Sequence, residues 1–260
     1  MTVTARDAGR MLRRHATPAN IAILQRFFKT GRGEYGEGDV FVGVRVPATR
    51  RVCRDCRGMP MPEIERLLTA KIHEERLLAL LILVDAFKSA DEAGRRRIYE
   101  CYLGHTACIN NWDLVDASAP QIVGAFLRDR SKAPLTKLAR SRSPWERRIA
   151  MIATFDFIRR GDLDETFRIA DLLLDDEHDL IHKAVGWMLR EAGKRDGGAL
   201  RQFLETRAQR MPRTALRYAI ERFPEAERRR FLAQPARNAS SSRGSSTNRS
   251  RPSKPPSSKR

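Results

Sequence analysis

The chain has 260 residues and a formal charge of +18, with 50 Lys and Arg against 32 Asp and Glu. This length is sufficient for a substantial core, and a hydrophobic content of 41% excludes a chain that is disordered throughout. The basic excess favours a polyanionic partner, because each phosphate that is neutralised releases a condensed counterion. A general bias toward arginine in the source proteome is the alternative explanation.

The positive charge is partly concentrated at the C-terminus. Residues 235–260 contain seven Lys and Arg and no acidic residue, which leaves +11 of the +18 on residues 1–234. The segment is rich in Ser and Pro and has no apolar side chain that could anchor it. We therefore predict a folded domain over residues 1–234 and a disordered basic tail over residues 235–260, which could tether the protein to nucleic acid without sequence preference.

Neither a membrane span nor a secretory signal is evident in the sequence. No apolar run approaches the ~20 residues that a spanning helix needs, and the N-terminus lacks the apolar stretch of a signal peptide. Four cysteines, Cys53, Cys56, Cys101 and Cys108, do not demand disulfides in a chain of this size. We expect a cytoplasmic, nucleoid-associated monomer that does not contact membranes. A zinc site built from these cysteines and His105 is the weaker alternative to small hydrophobic core residues.

Apolar residues recur with the 3.6-residue period of helices from residue 18 to about residue 232. Prolines mark several helix starts, and Ser89-x-x-Glu92 and Asp162-x-x-Glu165 resemble capping boxes. The predicted helices cover residues 5–15, 18–29, 47–57, 62–69, 73–88, 91–107, 112–127, 144–160, 163–174, 178–193, 198–209, 212–222 and 225–233. Only residues 40–46 alternate as a strand would. Successive helices with short connections predict an all-α fold, an α-solenoid of degenerate HEAT-like repeats, with a compact bundle as the alternative.

Two motifs in the chain match known patterns only superficially. Residues 31–36, GRGEYG, have the G-x-G-x-x-G spacing, but a predicted helix precedes them where a dinucleotide site needs a strand. This segment is predicted to be a loop. His178 and His182 have the spacing of a zinc-protease motif, but Asp179 is too short for the general base and no third ligand is evident.

The predicted helix 112–127 contains a first candidate site. Trp112 and Asp116 are one turn apart and lie beside the apolar stripe. Pro120 removes the backbone donor that the carbonyl of Asp116 would need, so a kink is expected there. Asp113 has the position of a first-turn carboxylate that the helix dipole favours. An indole, a carboxylate and a kink together favour Asp116 as the functional group.

Two later helices carry further candidates. Arg148 shares a face with Trp145 on the most apolar predicted helix, so it must pair with a carboxylate or face phosphate. Trp187 lies opposite the core stripe of helix 178–193, in line with Lys183 and Arg190. An aromatic between two cations is typical of a nucleic-acid surface. Packing of Trp187 under a neighbouring repeat is an equal alternative on these grounds.

Several stretches in one order resemble the AlkD-type DNA alkylation repair glycosylases, which are built of HEAT-like repeats. The resemblance covers residues 18 to about 232 and rests on NNWDLVDASAPQIVGAFL, SPWERRIAMIATFDFIRRGD, LIHKAVGWMLREAGKRD, RFFKTGRGEYGEGDVFVGVRVP and MPRTALRYAIERFP. It implies that Asp116 is the catalytic aspartate, that Trp112 and Trp187 flank the lesion, and that Arg148 lies beside the aspartate and contacts DNA. Phe27 departs from the pattern, because a family member can carry Tyr there.

The resemblance implies an enzyme that removes N3- or N7-alkylated purines from double-stranded DNA without a metal or organic cofactor. In addition to Arg148, we predict DNA contacts from Lys183, Arg190 and Arg213, the last within the MPRTALRYAIERFP stretch. The alternative function is a non-catalytic helical-repeat scaffold that binds DNA or protein through its concave face, because fold alone does not define function.

Overall fold

The computed structural model describes residues 2–234, so the predicted tail lies outside the described residues. The α-helices are α1 (Ala5–Arg13), α2 (Pro18–Phe27), α3 (Val46–Asp55), α4 (Met61–Leu68), α5 (His73–Ser89), α6 (Glu92–Gly104), α7 (Trp112–Asp116), α8 (Ala125–Leu127), α9 (Ala133–Ala139), α10 (Pro144–Ala153), α11 (Phe155–Arg159), α12 (Asp164–Leu172), α13 (Asp179–Gly193), α14 (Gly197–Arg207), α15 (Arg213–Ala219) and α16 (Glu225–Ala233). Within residues 2–234 no strand forms, and Val40 makes only an isolated parallel bridge with Ile72.

The helices form two layers, which confirms the predicted α-solenoid. One layer, here called the front row, consists of α3, α5, α7, α10, α13 and α15, and each of these helices contacts the next. The second layer, the back row, consists of α4, α6, α9, α12 and α14, each packed against a front-row helix. A helix that packs against neighbouring helices on several sides is apolar around most of its circumference. Accordingly, α5 is buried along most of its length, and α10 is buried from Arg148 to Ala153.

The kink predicted at Pro120 is present and takes the form of a π-helical segment. Helix α7 ends at Asp116, two residues form a turn, and residues Pro120–Gly124 form a π-helix before α8. A Cβ atom on Gly124 would lie 2.2 Å from the carbonyl oxygen of Ala153, so glycine allows this segment to approach α10 closely. Both α7 and the π-helical segment pack against α10 of the neighbouring repeat.

Several boundaries differ from the predicted ones. Helix α9 was not predicted, although Leu135, Leu138 and Ala139 follow a helical spacing and are all buried. The predicted helix 144–160 is divided at Thr154, whose hydroxyl donates to the carbonyl oxygen of Met151 at 2.7 Å. A side chain that hydrogen-bonds to the preceding turn competes with the helical backbone.

Both predicted capping boxes were wrong. Ser89 is still part of α5, and Asp91 instead caps α6 by accepting a hydrogen bond of 2.7 Å from the backbone N–H of Gly94. Leu163 precedes α12 and makes no side-chain cap. Because α5 continues through Ser89, the two-residue connection between α5 and α6 lies one residue later than predicted.

Candidate active site

Asp116 and Arg148 form a bidentate ion pair between α7 and α10. The Nε of Arg148 donates to Oδ1 of Asp116 at 2.9 Å, and Nη2 donates to Oδ2 at 2.7 Å. The remaining nitrogen, Nη1, donates to the backbone carbonyl of Leu180 in α13 at 2.6 Å. Parallel N–H···O bonds of this kind fix the orientation of both planar groups. The aspartate is thus held by three consecutive helices of the front row.

The pair is largely removed from water. The side chain of Arg148 is 6% exposed and that of Asp116 is 17% exposed, so the aspartate is the more accessible partner. Burial raises the pKa of Asp116 above its ordinary value, because it disfavours the charged form, while the Arg148 guanidinium opposes the shift. Of the two environments that the sequence left open for Arg148, the structure shows pairing with a carboxylate. Its predicted contact with DNA stays a prediction.

Trp112 lies one turn before Asp116 and belongs to an aromatic cluster. Its ring stacks on Phe28 at a centroid distance of 5.3 Å and meets Phe27 edge-on at 5.6 Å. Phe27 is 60% exposed, an unusual value for a large apolar side chain. The hydroxyl of Tyr35 donates to the backbone carbonyl of Phe27 at 3.4 Å, so this phenol lies near Phe27 and its hydroxyl is engaged by the backbone. Phe27 and Trp112 therefore form an apolar surface, and Trp112 lies one helical turn from Asp116.

Asp113 is not merely a first-turn carboxylate. Its Oδ2 lies 2.9 Å from Nε2 of His73, and the other ring nitrogen, Nδ1, lies 2.9 Å from Oδ2 of Asp39. Asp39 also accepts hydrogen bonds from Arg76 and from Asn111, the latter at 3.1 Å. This buried network joins the loop after α2 to α5 and α7. Sequence reasoning missed it, because no local pattern connects residues 39, 73 and 113.

Two groups in the network have strongly shifted pKa values. Burial alone would lower the pKa of His73, but the hydrogen bonds and charges of Asp113 and Asp39 outweigh it and raise the pKa to about 9. Burial would raise the pKa of Asp39, but the His73 hydrogen bond and the Arg76 charge lower it to about 2. Both side chains are therefore ionised at neutral pH.

A second aromatic group, also unforeseen, lies near the start of α10. The ring of Trp145 meets those of Tyr35 and His178 edge-on, at centroid distances of 6.2 Å and 6.4 Å. His178 caps α13, and burial lowers its pKa below the ordinary value. The signal that could have revealed this group is the position of Trp145, one turn before Arg148 on the same helix.

Trp187 is not shown in contact with the other candidates. It lies two turns after Leu180 on α13, half-buried against the core, with its ring 6.1 Å from that of Phe155. Its indole N–H donates to Oε1 of Glu191 at 3.2 Å. Of the two alternatives left open for this residue, the structure shows packing against a neighbouring helix. Its predicted place beside the lesion stays a prediction.

The predicted DNA-binding cations all have partners within the protein. Lys183 pairs with Asp179 at 2.7 Å and remains 41% exposed, so it can exchange this partner for a phosphate. Arg190 is 20% exposed and pairs with both Glu191 and Glu221. Arg213 donates to the carbonyl oxygen of Gln234 at 2.5 Å. Lys183 is therefore the most accessible of the three, while DNA contacts by Arg190 and Arg213 require rearrangement.

An apolar cavity of about 370 Å³ lies behind the aromatic surface, between α2, α3, α5 and α7. Phe27, Phe28 and Trp112 line one side, and Val44 and Leu77 line another. Helix α2 forms the outer wall of this cavity, and none of its ten residues is buried.

The superficial motifs behave as loops and caps. Residues 31–36 form turns, and the ring nitrogen Nε2 of His182 lies against the backbone carbonyl of Asp176. Cys53, Cys56 and Cys101 are buried as free thiols. Over residues 2–234, no cluster of three or more His, Cys, Asp or Glu side chains is arranged to hold a metal ion. No helix in the same range is long and apolar enough to cross a membrane.

The fold and the site together define a helical-repeat protein with a carboxylate–arginine pair beside an aromatic surface. A model of the family described as DNA alkylation repair enzyme matches residues 9–223. The chain belongs to this DNA alkylation repair enzyme family, as the sequence motifs predicted. The match spans both rows of helices and every site residue described above.

A solved structure shows the same fold at low sequence identity. A predicted DNA alkylation repair enzyme from Enterococcus faecalis superposes with a TM-score of 0.63 at 16% identity, over 81% of this chain and 98% of that one. AlkD2 from Streptococcus mutans gives a TM-score of 0.49 at 15% identity, over 79% and 97% of the two chains. No curated protein sequence matches the chain.

Proposed function

We propose that the protein is a DNA glycosylase that excises cationic N3- or N7-alkylated purines from double-stranded DNA. The observation that carries the proposal is the bidentate Asp116–Arg148 pair, which fixes a carboxylate beside Trp112 in a member of a DNA alkylation repair family. A carboxylate held in this way is preorganised to stabilise positive charge that develops in front of it.

The chemistry of such a lesion needs only a small catalytic set. Alkylation at N3 or N7 makes the purine cationic, so it takes the electron pair of the C1′–N9 bond and leaves as a neutral base without being protonated. The sugar is left as an oxocarbenium ion, and water adds to C1′ to give an abasic site. No step of this scheme calls for a metal or an organic cofactor. The protein must stabilise the sugar cation and accept a proton from water.

Asp116 is suited to both tasks. Each of its oxygens accepts one hydrogen bond from Arg148, and each retains a further lone pair for the sugar or for water. Its partial exposure leaves an approach for substrate, and burial raises its pKa, which makes it a better proton acceptor than an ordinary aspartate. Arg148 acts through the carboxylate as a positioning residue.

The surroundings of Asp116 support binding of a cationic nucleotide. Trp112 and Phe27 offer π faces, which attract positive charge. The charge of +11 on residues 1–234 supports association with the phosphate backbone. Lys183 is the accessible cation nearest to the site along α13, one turn after the Leu180 carbonyl that anchors Arg148.

The test uses the full chain and a duplex oligonucleotide that contains one 7-methylguanine. We expect free base and an abasic site under single-turnover conditions, with unmodified duplex unchanged and with activity retained in the presence of a chelator. If the protein binds the duplex but releases no base after long incubation, the scaffold function replaces this proposal. If a chelator abolishes release, the cofactor-free scheme is wrong.

A further inference from the structure

His73 lies between two carboxylates deep in the protein. Its Nδ1 is 2.9 Å from Asp39 and its Nε2 is 2.9 Å from Asp113, and its side chain is 2% exposed. An ionised carboxylate can only accept hydrogen bonds, so each ring nitrogen must carry a proton to be a donor. An imidazolium cation can donate to both carboxylates at once, and it bridges the loop after α2 to the first turn of α7.

The two carboxylates depend on His73 to different degrees. Asp39 also accepts hydrogen bonds from Arg76, Asn110 and Asn111. Asp113 has no other side-chain partner among residues 2–234, and its Oδ1 is buried without a hydrogen bond. Within the described residues, the side chain of Asp113 is thus fixed to the core by a single hydrogen bond, the one from His73.

The same ring is part of the aromatic cluster that supports Trp112. His73 stacks against Phe41 at a centroid distance of 4.6 Å and lies 4.9 Å from Phe28, which stacks in turn on Trp112. Asp113 is the residue next to Trp112, and Asp116 follows one turn later. His73 is therefore connected to the candidate active site in two ways: it hydrogen-bonds to Asp113, and it packs on Phe28, which stacks on Trp112.

We propose that His73, in its doubly protonated form, is a positioning residue that fixes Trp112 and α7 relative to the loop carrying Phe28 and Phe41. For its effect on base excision, this inference rests on the function proposed above. A neutral imidazole has one N–H, so it turns a lone pair toward one of the two carboxylates, and the bridge is lost whichever proton leaves.

Within residues 2–234, the charged groups that make hydrogen-bond contact with the ring are two carboxylates. Asp39 faces it from the loop and Asp113 from α7, while Arg76 and Glu74 belong to its own helix. The Glu74 carboxylate is occupied by the backbone N–H groups of Val42, Gly43 and Val44, and Arg76 is occupied by Asp39 and two backbone carbonyls. Titration of His73 is consequently governed by the two aspartates.

The first measurement follows the five histidines of the full chain by NMR between pH 6 and pH 10. We expect a His73 midpoint near pH 9, in accord with the pKa of about 9 that its two carboxylates produce. Asp113→Asn should move this midpoint down by about one to three pH units, because it removes one opposite charge in contact with the ring. A midpoint near 6.5 in the wild-type protein would overturn the proposal.

The second measurement reads the position of Trp112 directly. In a variant with Trp145→Phe and Trp187→Phe, Trp112 is the sole tryptophan. Its emission should change with the same midpoint as His73, and this transition should vanish in His73→Gln, which keeps a donor but cannot titrate. His105→Gln is the matched control, since His105 is half-buried and, among the residues that the structure describes, its ring contacts a backbone carbonyl and a thiol. Tryptophan emission that does not change over the pH range in which His73 titrates would overturn the proposal.

Excision of 7-methylguanine at pH 7 completes the test. His73→Gln should reduce the single-turnover rate about tenfold at saturating enzyme, comparable to about 1.4 kcal/mol of lost positioning, while His105→Gln should leave it unchanged. An unchanged rate in His73→Gln would remove His73 from the reaction. If the NMR and emission results are as expected but no variant or wild type excises a base, the glycosylase proposal fails while the positioning of Trp112 by His73 stands.

Discussion

Replacement of Asp116 by Asn is the most direct test of the candidate active site. The substitution retains the shape of the side chain but removes the negative charge opposite the developing sugar cation. With an effective dielectric of about 20, two unit charges 4 Å apart attract by about 4 kcal/mol. Loss of that attraction corresponds to roughly a 10³-fold slower reaction, and loss of one preorganised group in other enzymes costs about 10²- to 10³-fold. We therefore expect excision to fall at least 10²-fold.

The structure also predicts a cost in stability, which the assay must separate from catalysis. The Asn amide would turn an N–H toward one of the two Arg148 donors, Nε or Nη2, that now contact Asp116. One donor on a nearly buried guanidinium would lose its partner, at a cost of about 1–3 kcal/mol in the free energy of unfolding. Binding to undamaged duplex should be unchanged or slightly tighter, because a negative charge near the phosphates is removed.

Asp156→Asn is the matched control. Asp156 in α11 accepts two hydrogen bonds from Arg128, at 3.0 Å and 3.1 Å, and its side chain is 14% exposed against 17% for Asp116. It should show a similar loss of thermal stability with nearly wild-type excision. The assay is single-turnover base release at saturating enzyme, with DNA binding measured by fluorescence anisotropy. Nearly wild-type excision by Asp116→Asn, or an equal loss in Asp156→Asn, would refute the assignment of the carboxylate.

Three further outcomes follow from the structure. Since the pKa of His73 is raised to about 9, the contribution of its charged form to the free energy of unfolding is complete below pH 6.5. This contribution is lost as the pH rises toward 9, by up to about 3 kcal/mol. Urea denaturation across this range should show the decline in the free energy of unfolding, and His73→Gln should make that free energy less dependent on pH. Trp187→Ala should lower the melting temperature, because the indole packs on Phe155, and should slow excision less than Asp116→Asn; a loss of excision as large as that of Asp116→Asn would contradict this. Deletion of residues 235–260 should reduce the slope of log K against log salt by up to about 6 while excision at saturating enzyme survives; an unchanged slope would show that the tail does not contact DNA.

Local chemistry in the sequence predicted much of the front row. The missing N–H of Pro120 predicted the break after Asp116, and the apolar circumference of the segment around Arg148 predicted a helix enclosed by neighbours. The same burial required a partner for the guanidinium. The sequence could not identify that partner from spacing, because residues 116 and 148 meet only when consecutive repeats stack.

The His73 network and the place of Trp187 show where such reasoning stops. A helical wheel predicts the side of α13 on which Trp187 lies. It cannot predict that Phe155 of α11 packs against the indole. A histidine at the start of a helix looks like an ordinary cap until two distant aspartates are brought to its ring nitrogens. Such contacts are set by tertiary packing, which has no signature within a single helix.

The two aspartates of α7 illustrate how partners assign different tasks to identical side chains. Asp113 bonds to His73 through one oxygen, and its other oxygen is buried without a hydrogen bond, so its carboxylate is committed to the contact with His73. Asp116 lies one turn later, where the guanidinium of Arg148 donates one hydrogen bond to each oxygen and the side chain remains 17% exposed. One turn of helix thus separates a carboxylate that is bound to His73 of α5 from one that is bound to Arg148 of α10, while the two side chains differ little in exposure, 13% against 17%. The catalytic role proposed for Asp116 therefore rests on its partner and its position and not on a difference in exposure.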